Sequence, residues 1–546
     1  AHMKAMLKSR LHTAVAAGLI GLASTGAVDA ANWSRGNTGQ ALVFPYYTVN
    51  NDWITTLNVM NTSNQTLPVK LRVHESKNSR DVLDFNIVLS PYDAWTGWLV
   101  DSDDGPVLKT TDRSCTSPVS VRDNGPTSGT TASTVAYTGS FDDTGGNGRN
   151  RMREGYVEVI VMGVQDTILA PPLDWQSDVA FANGETLYVP YHAEHVDGEP
   201  RNCTLVDDAF LATTSNWLEE TDPTAYTSVI PIADSLGGSG DPRARLDFDP
   251  TAAGNNPLKG NVTWLHTNTG TGAGSEAIAV ENWAAPAQNY VTAQQPPWFL
   301  EPTFASEDGL WTVTGVIDFD TAVSALSTFN EWANNEANGA ATDWAVTFPT
   351  KAYHVDKFND QIQAAVSKYR NGLTDVVATD PLAPLGSDCD LDRTVCVETG
   401  TPVLVAPFEF LFGETGNGDS PITVQYDVYD REEGSQVVET DGTTTSPALP
   451  PDVVIETLRF EANVIQFGNE PVLDSNNPAI VDASGFLEGA PNGWARITFT
   501  GLDAVGVGLP VTAFAVKERT RAEVSATYGQ AMDHGYELLP VAVPVP

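Results

Sequence analysis

Three alternating aspartates are the strongest candidates for chemistry in this sequence. They are Asp388, Asp390 and Asp392. Acids at alternate positions let one loop direct several carboxylate oxygens at a hard cation, as calcium-binding loops do. The loop differs from an EF-hand, because Arg393 replaces the glycine of the sharp turn and Thr399 replaces the bidentate acid. These three aspartates are the candidate calcium ligands of the sequence, although an acidic loop that is stapled by a disulfide and binds no metal is the favoured interpretation.

The four cysteines indicate an oxidising compartment and two disulfide bonds. Their order favours the pairs Cys115–Cys203 and Cys389–Cys396, of which the second would staple the acidic loop. A zinc site is less favoured, because the spacings contain no CxxC pair.

The remaining patterns for catalysis or metal binding are weaker. His192, Glu194 and His195 lie within four residues, but on a strand His195 would point away from the other two. We therefore expect surface histidines, with a zinc or copper site as the alternative. The segment nearest to a G-x-S-x-G nucleophile elbow is Gly237–Asp241, which ends in Asp instead of Gly.

Tryptophan side chains offer candidate surfaces for stacking on sugars. The chain has 13 of them, including Trp95, Trp98, Trp298 and Trp311. For any single tryptophan we favour a place in the core, since aromatic side chains bury a large area in β-sandwiches.

The charge balance excludes some classes of partner. The chain has 70 acidic against 29 basic residues and a formal net charge of −41. Such a field repels nucleic acids and anionic membranes and attracts cations. We therefore expect no nucleic-acid partner.

The first thirty residues predict export. After Ala1-His2-Met3, which we interpret as an expression-vector remnant, basic residues precede an apolar stretch from Ala14 to Ala23. Small residues then lead to a signal-peptidase site at Val28-Asp29-Ala30, so this is a signal peptide. No later segment approaches the roughly 20 apolar residues of a membrane helix. We expect a bacterial protein that is extracellular, at the cell surface or periplasmic.

Short runs rich in β-branched and aromatic residues predict a mainly β fold. Five such runs between residues 41 and 100 are bounded by Asn, Ser, Pro or Asp. We expect multiple β-sandwich, immunoglobulin-like units with a few short helices, among them Thr321–Asn335 and Lys357–Arg370. The predicted segments are a signal peptide (1–30), an N-terminal sandwich segment (31–100), a β-rich region with an acidic insertion (101–235), a mixed region with two helices (236–400) and a C-terminal β-rich region (401–546).

Several longer segments resemble a mostly uncharacterised family of large secreted, β-rich proteobacterial proteins. They include ALVFPYYTV, REGYVEVIVMG, ATDWAVTFPTK, YDREEG, GWARITFTG and GLPVTAFAVKE. The resemblance runs from about residue 38 to residue 535. It implies a secreted β-rich architecture, and it carries no established catalytic residue to this chain.

Two functions follow from these observations. The favoured one is a secreted or cell-surface structural, adhesive or assembly protein, because the sequence shows no catalytic constellation. Its partner would be a second copy, through strand addition at sheet edges, or an extracellular polymer. The alternative is a secreted hydrolase of polysaccharide or another extracellular polymer, with a triad or carboxylate pair that only the fold assembles.

Overall fold

The structure is a computed structural model with antiparallel sheets as its main elements. The residues that it describes are 31–139, 142–161, 192–211, 256–283, 306–307, 310–311, 314–335, 339–356, 407–431, 454–468, 470–481, 491–499, 508–521 and 526–538.

The strands in these ranges are β1 (Asn32–Trp33), β2 (Ala41–Thr48), β3 (Trp53–Asn61), β4 (Leu67–Glu75), β5 (Asp81–Leu89), β6 (Ala94–Val100), β7 (Val107–Thr110), β8 (Cys115–Ser117), β9 (Thr130–Thr131), β10 (Glu154–Val161), β11 (His195–Val196), β12 (Glu199–Pro200), β13 (Leu258–His266), β14 (Gly272–Glu276), β15 (Ile278–Glu281), β16 (Ser306–Glu307), β17 (Leu310–Trp311), β18 (Ser324–Ala333), β19 (Ala340–Thr347), β20 (Ile422–Asp430), β21 (Val454–Leu458), β22 (Ala462–Phe467), β23 (Ala479–Val481), β24 (Asn492–Phe499), β25 (Leu509–Pro510), β26 (Thr512–Arg521), β27 (Ala526–Asp533) and β28 (Gly535–Leu538). The α-helices of the same ranges are α1 (Val119–Ser128), α2 (Cys203–Leu211), α3 (Thr314–Val323) and α4 (Lys351–Val355).

The first sheet pair consists of a seven-stranded and a six-stranded sheet. Their strand orders are β1-β15-β2-β10-β4-β5-β8 and β14-β13-β3-β6-β7-β9. In β3 alternate side chains are buried, because one face of this strand covers the core while the other stays partly solvated. Phe85 of one sheet packs on Trp95 of the other, with ring centroids 5.8 Å apart. The two sheets therefore face each other across an aromatic core.

The second sheet pair also consists of two sheets with a shared core. One sheet has the order β21-β20-β24-β18-β25, with β28 also paired to β18, and the other has the order β23-β22-β19-β26-β27. Trp332 of the first sheet stacks near Phe467 of the second, with ring centroids 6.1 Å apart. Val424, Val428 and Ile497 add buried aliphatic side chains to the same core.

The two sheet pairs belong to one compact unit. Trp264 of the first pair stacks on Phe514 of the second at 4.4 Å. The indole N–H of Trp53 donates to the carbonyl of Val472 at 3.1 Å. Because apolar and polar contacts both cross this junction, burial there stabilises the two pairs together.

The prediction of a mainly β protein is confirmed, and the five N-terminal runs are strands β2 to β6. They are divided between the two sheets of the first pair, whose other strands, apart from β1, come from later predicted segments. The predicted helix Thr321–Asn335 is wrong, since a helix ends at Val323 and β18 follows. Pairing with β24 decides the conformation there, and tertiary context overrides a helix-compatible local pattern. Lys357–Arg370 lies outside the described residues.

In the described part of the chain, no helix is long and apolar enough to cross a membrane.

Candidate functional site

The predicted calcium ligands cannot be placed in the fold. Asp388, Asp390 and Asp392 lie outside the described residues, as does the pair Cys389–Cys396. Among the residues that the structure describes, no three His, Cys, Asp or Glu side chains converge to hold a metal ion. The calcium site therefore stays a prediction.

The other predicted disulfide is confirmed. Cys115 and Cys203 are bonded, with an S–S distance of 2.05 Å and Cα atoms 5.0 Å apart. The bond fastens the start of α2 to β8, at the edge of the seven-stranded sheet.

The side chains of the histidine-rich segment contact other residues, and His195 lacks the geometry of a catalytic triad. Glu194 pairs with Arg201 at 3.0 Å. His195 brings its Nδ1 to within 3.3 Å of Ser90 Oγ and 3.6 Å of Asp93 Oδ2. A hydrolytic triad needs the serine on Nε2 and the acid on Nδ1. Both partners approach the same nitrogen here, so these three side chains do not have the geometry of a triad.

The tryptophans singled out from the sequence have different surroundings. Trp95 is fully buried in the first core, as expected for a structural aromatic residue. Trp98 is half-buried on β6, Trp311 belongs to β17, and Trp298 lies outside the described residues. Among the tryptophans whose burial the structure describes, Trp494 of β24 is the exposed one, with 37% of its surface accessible.

Trp494 borders an open cleft on the outer face of the second sheet pair. The cleft has a volume of about 530 Å³ and is lined by Glu331, Tyr429, Asp430, Arg431, Gly493 and Trp494. Strand register explains the grouping, because Trp494 lies opposite Glu331 of β18 on one side and opposite Tyr429 of β20 on the other. Directly opposite residues on antiparallel strands share a face of the sheet, which places the three side chains in one row.

The two aromatic rings of this row form a preorganised pair. The rings of Tyr429 and Trp494 stack with centroids 4.2 Å apart and planes 12° apart. Mutual packing restricts both side chains, so little conformational entropy remains to be lost when a ligand binds. The guanidinium carbon of Arg496 lies 6.0 Å from the Trp494 ring, at the limit of a cation–π contact.

Charge in the cleft is balanced around Glu331. Its carboxylate accepts a hydrogen bond from Lys517 Nζ at 2.6 Å and lies 3.7 Å from Arg431 Nη2. The hydrogen bond from Lys517 and the positive charge of that residue lower the pKa of Glu331. The carboxylate is therefore ionised at neutral pH, where it accepts hydrogen bonds and cannot donate a proton.

A second row extends the same face by one pleat. Phe329 of β18, Arg496 of β24 and Asp427 of β20 lie opposite one another in register. Phe329 is 40% exposed. The face thus presents three aromatic rings with charged groups between them.

The charged segment 78–81, between β4 and the start of β5, is largely buried in the structure. Asn78 and Arg80 are only 1% and 3% exposed. Asp81 pairs with Arg72 at 2.9 Å on the neighbouring strand. Partners distant in sequence cover Asn78 and Arg80.

Those partners form a buried network of charges, which we call the junction network. Arg151 makes two-pronged contacts to Glu75 at 2.7 and 2.9 Å and to Asp143 at 2.6 and 2.5 Å. Arg80 donates to Asp143 at 3.3 Å. Burial would raise the pKa of Asp143, but the hydrogen bonds and charge of Arg151 prevail and lower it to about 2. Asp143 belongs to the segment predicted to carry an acidic insertion (101–235), and its local pattern does not predict burial.

Asp343 lies inside β19 and binds the backbone of a segment distant in sequence. Its Oδ2 accepts hydrogen bonds from the backbone N–H groups of Val472 and Leu473, each at 2.8 Å. Burial raises the pKa of Asp343 to about 7, although these two hydrogen bonds oppose the rise. The buried side chain therefore fastens β19 to the segment that precedes β23.

Comparison with known proteins adds no relative. No protein-family model, no curated protein and no solved structure matches this chain. The resemblance to secreted proteobacterial proteins therefore stays a prediction. The cleft is the feature of the described residues that bears on function.

Proposed function

We propose that this chain is a secreted or cell-surface adhesive protein, built from two immunoglobulin-like β-sandwich units, that binds an extracellular polymer without cleaving it. The observation that carries the proposal is the stacked pair of the exposed Trp494 and the half-buried Tyr429 beside an open cleft. Preorganised aromatic side chains on a rigid sheet are suited to binding, because they contribute contact area at low cost in conformational entropy.

The chemistry of the cleft favours binding over hydrolysis. A glycosidase needs a carboxylic acid whose raised pKa lets it protonate the leaving group. Lys517 instead lowers the pKa of Glu331, which keeps this carboxylate charged. The His195, Ser90 and Asp93 contacts also lack the geometry of a triad.

Adhesion can be tested with purified protein and a panel of insoluble polymers. We expect the protein to sediment with at least one polysaccharide or matrix protein, and Trp494→Ala to reduce the bound fraction at least tenfold. Tyr528→Ala is the matched control, since Tyr528 is an exposed aromatic residue (57%) on β27, in the other sheet of the pair.

Two results would contradict the proposal. One is binding that Trp494→Ala and Tyr429→Ala both leave unchanged. The other is release of new reducing ends or peptides from the bound polymer, which would favour the secreted hydrolase.

A further inference from the structure

We infer that the ligand of this cleft is an uncharged carbohydrate chain, one sugar of which lies against Trp494 while its hydroxyls bond Glu331 and Arg431. This inference rests on the proposed function and specifies its ligand class. It is carried by the size, the charge balance and the mixture of surfaces in the cleft.

The size of the cleft fits a small ligand. A volume of about 530 Å³ falls within the range of ligand pockets, roughly 300–1,000 Å³. A stable protein partner would instead cover about 800 Å² with roughly 20–30 residues on each side. Six residues line the cleft. The cleft is therefore too small to be a whole protein interface, although it can hold a few sugar rings.

The mixture of surfaces fits the two sides of a sugar. A pyranose presents C–H groups on its faces and hydroxyls around its rim. The exposed indole of Trp494 offers an apolar surface for the C–H groups. The carboxylate of Glu331 accepts hydrogen bonds from hydroxyls, and the guanidinium of Arg431 donates hydrogen bonds to hydroxyl oxygens. One sugar can thus satisfy both kinds of contact at once.

The charge balance favours an uncharged ligand. Glu331 is neutralised by Lys517 at 2.6 Å, and Arg431 lies beside the same carboxylate at 3.7 Å. A cationic ligand would compete with Lys517 for Glu331, while an anionic one would meet the carboxylates of Glu331 and Asp430. An anionic polymer is further repelled by the net charge of −41. Hydroxyl groups bind without breaking the existing ion pair.

The second row extends the site in one direction. Phe329 and Arg496 lie one pleat from the Glu331 and Trp494 row, about 7 Å along the strands. An unbranched chain that follows β24 would pass from Trp494 to Phe329. A polysaccharide is therefore expected to bind more tightly than a single sugar.

Affinity electrophoresis of the purified protein in gels containing soluble polysaccharide tests this inference. The uncharged probes are mixed-linkage β-glucan, galactomannan and arabinoxylan, and the acidic probes are alginate and polygalacturonate. We expect retardation by at least one uncharged polymer and by neither acidic one. The dissociation constant should rise at least tenfold in Trp494→Ala and less than threefold in Trp494→Phe, which keeps an aromatic ring.

Glu331→Gln separates an uncharged ligand from a charged one. Gln keeps an acceptor for hydroxyls but removes the charge, so affinity for an uncharged sugar should fall about three- to tenfold, because hydrogen bonds to a charged acceptor are the stronger ones. A loss of a hundredfold or more, together with binding that disappears at high salt, would show a cationic ligand and overturn the inference. Circular dichroism and thermal unfolding of each variant serve as the control for folding.

The outcomes separate this inference from the proposed function. If the protein binds only acidic polysaccharides, or only a protein, and does so through Trp494, the proposed adhesive function stands. The inference that the ligand is an uncharged carbohydrate is then overturned. Binding of no probe and no polymer, by a folded protein, overturns both.

Discussion

Arg80 and Asp356 form a buried ion pair across the junction between the two sheet pairs. Their atoms Nη2 and Oδ2 lie 3.0 Å apart, although the residues are separated by 276 positions in sequence. Arg80 follows β4 of the first pair, and Asp356 follows α4, which connects to β19 of the second. The same guanidinium donates to Asp143, so the pair extends the junction network from one sheet pair to the other.

Removal of the Arg80 charge should destabilise the protein strongly. In Arg80→Met, Asp356 and Asp143 stay buried and lose a cationic partner. Breaking one side of a buried ion pair typically costs about 3–5 kcal/mol. Urea unfolding followed by tryptophan fluorescence measures the loss of unfolding free energy.

Arg149→Met is the control for Arg80→Met, because Arg149 pairs with Asp104 at 2.5 Å while both side chains are more than half exposed. Exposed pairs contribute about 0–1 kcal/mol. Equal effects of the two substitutions would contradict a stabilising role for the junction network.

Asp343 should make stability depend on pH. Its pKa is raised to about 7 by burial, so the folded state holds a proton more tightly than the unfolded chain does. The resulting stability is present below the ordinary pKa of an aspartate and is lost as the pH rises to 7. Asp343→Asn removes this titration, because the amide does not ionise and its oxygen can accept the same two hydrogen bonds.

Asp343 should therefore make the free energy of unfolding of the wild-type protein about 2–3 kcal/mol higher at pH 5 than at pH 8, at about 1.4 kcal/mol for each pKa unit. In Asp343→Asn this contribution should be lost. The measurement is urea unfolding at both pH values. Asp103→Asn, on an exposed side chain, is the control. The same pH dependence in wild-type protein and Asp343→Asn would show that another group causes it.

The strands of the first sheet pair were predictable, because their signals are local. The run Trp53–Asn61 alternates between buried and half-buried side chains, and such alternation can be recognised within a few residues. By contrast, Ser324–Ala333 has apolar spacing compatible with a helix. Its strand conformation comes from pairing with Asn492–Phe499, which no local pattern reveals.

The cleft was not predictable for the same reason. Trp494, Tyr429 and Glu331 belong to three separate strands, and only the register of the sheet brings them into one row. The sequence favoured a core place for each tryptophan, which is right for Trp95 and wrong for Trp494. Exposure depends on which face of a strand meets the core, and this requires the paired partner to be known.

Gly493 should be indispensable to the floor of the cleft. A Cβ atom at this position would lie 1.8 Å from the carbonyl oxygen of Tyr429, a backbone atom of the neighbouring strand. Gly493→Ala must therefore separate β24 from β20 and disturb the stacked rings. Forcing extra atoms into a packed site costs about 1–3 kcal/mol. We expect a lower melting temperature in thermal unfolding, together with weaker polysaccharide binding in affinity electrophoresis.

Gly535→Ala provides a matched control for Gly493→Ala on the same sheet. There the added Cβ atom would meet the ring of Phe329 at 2.4 Å, but this ring is 40% exposed and can rotate away. The alanine at 535 should therefore cost less than about 1 kcal/mol, within the range of ordinary surface substitutions. If Gly493→Ala is as stable as Gly535→Ala and binds polysaccharide as wild-type protein does, the close approach of β20 and β24 does not shape the cleft.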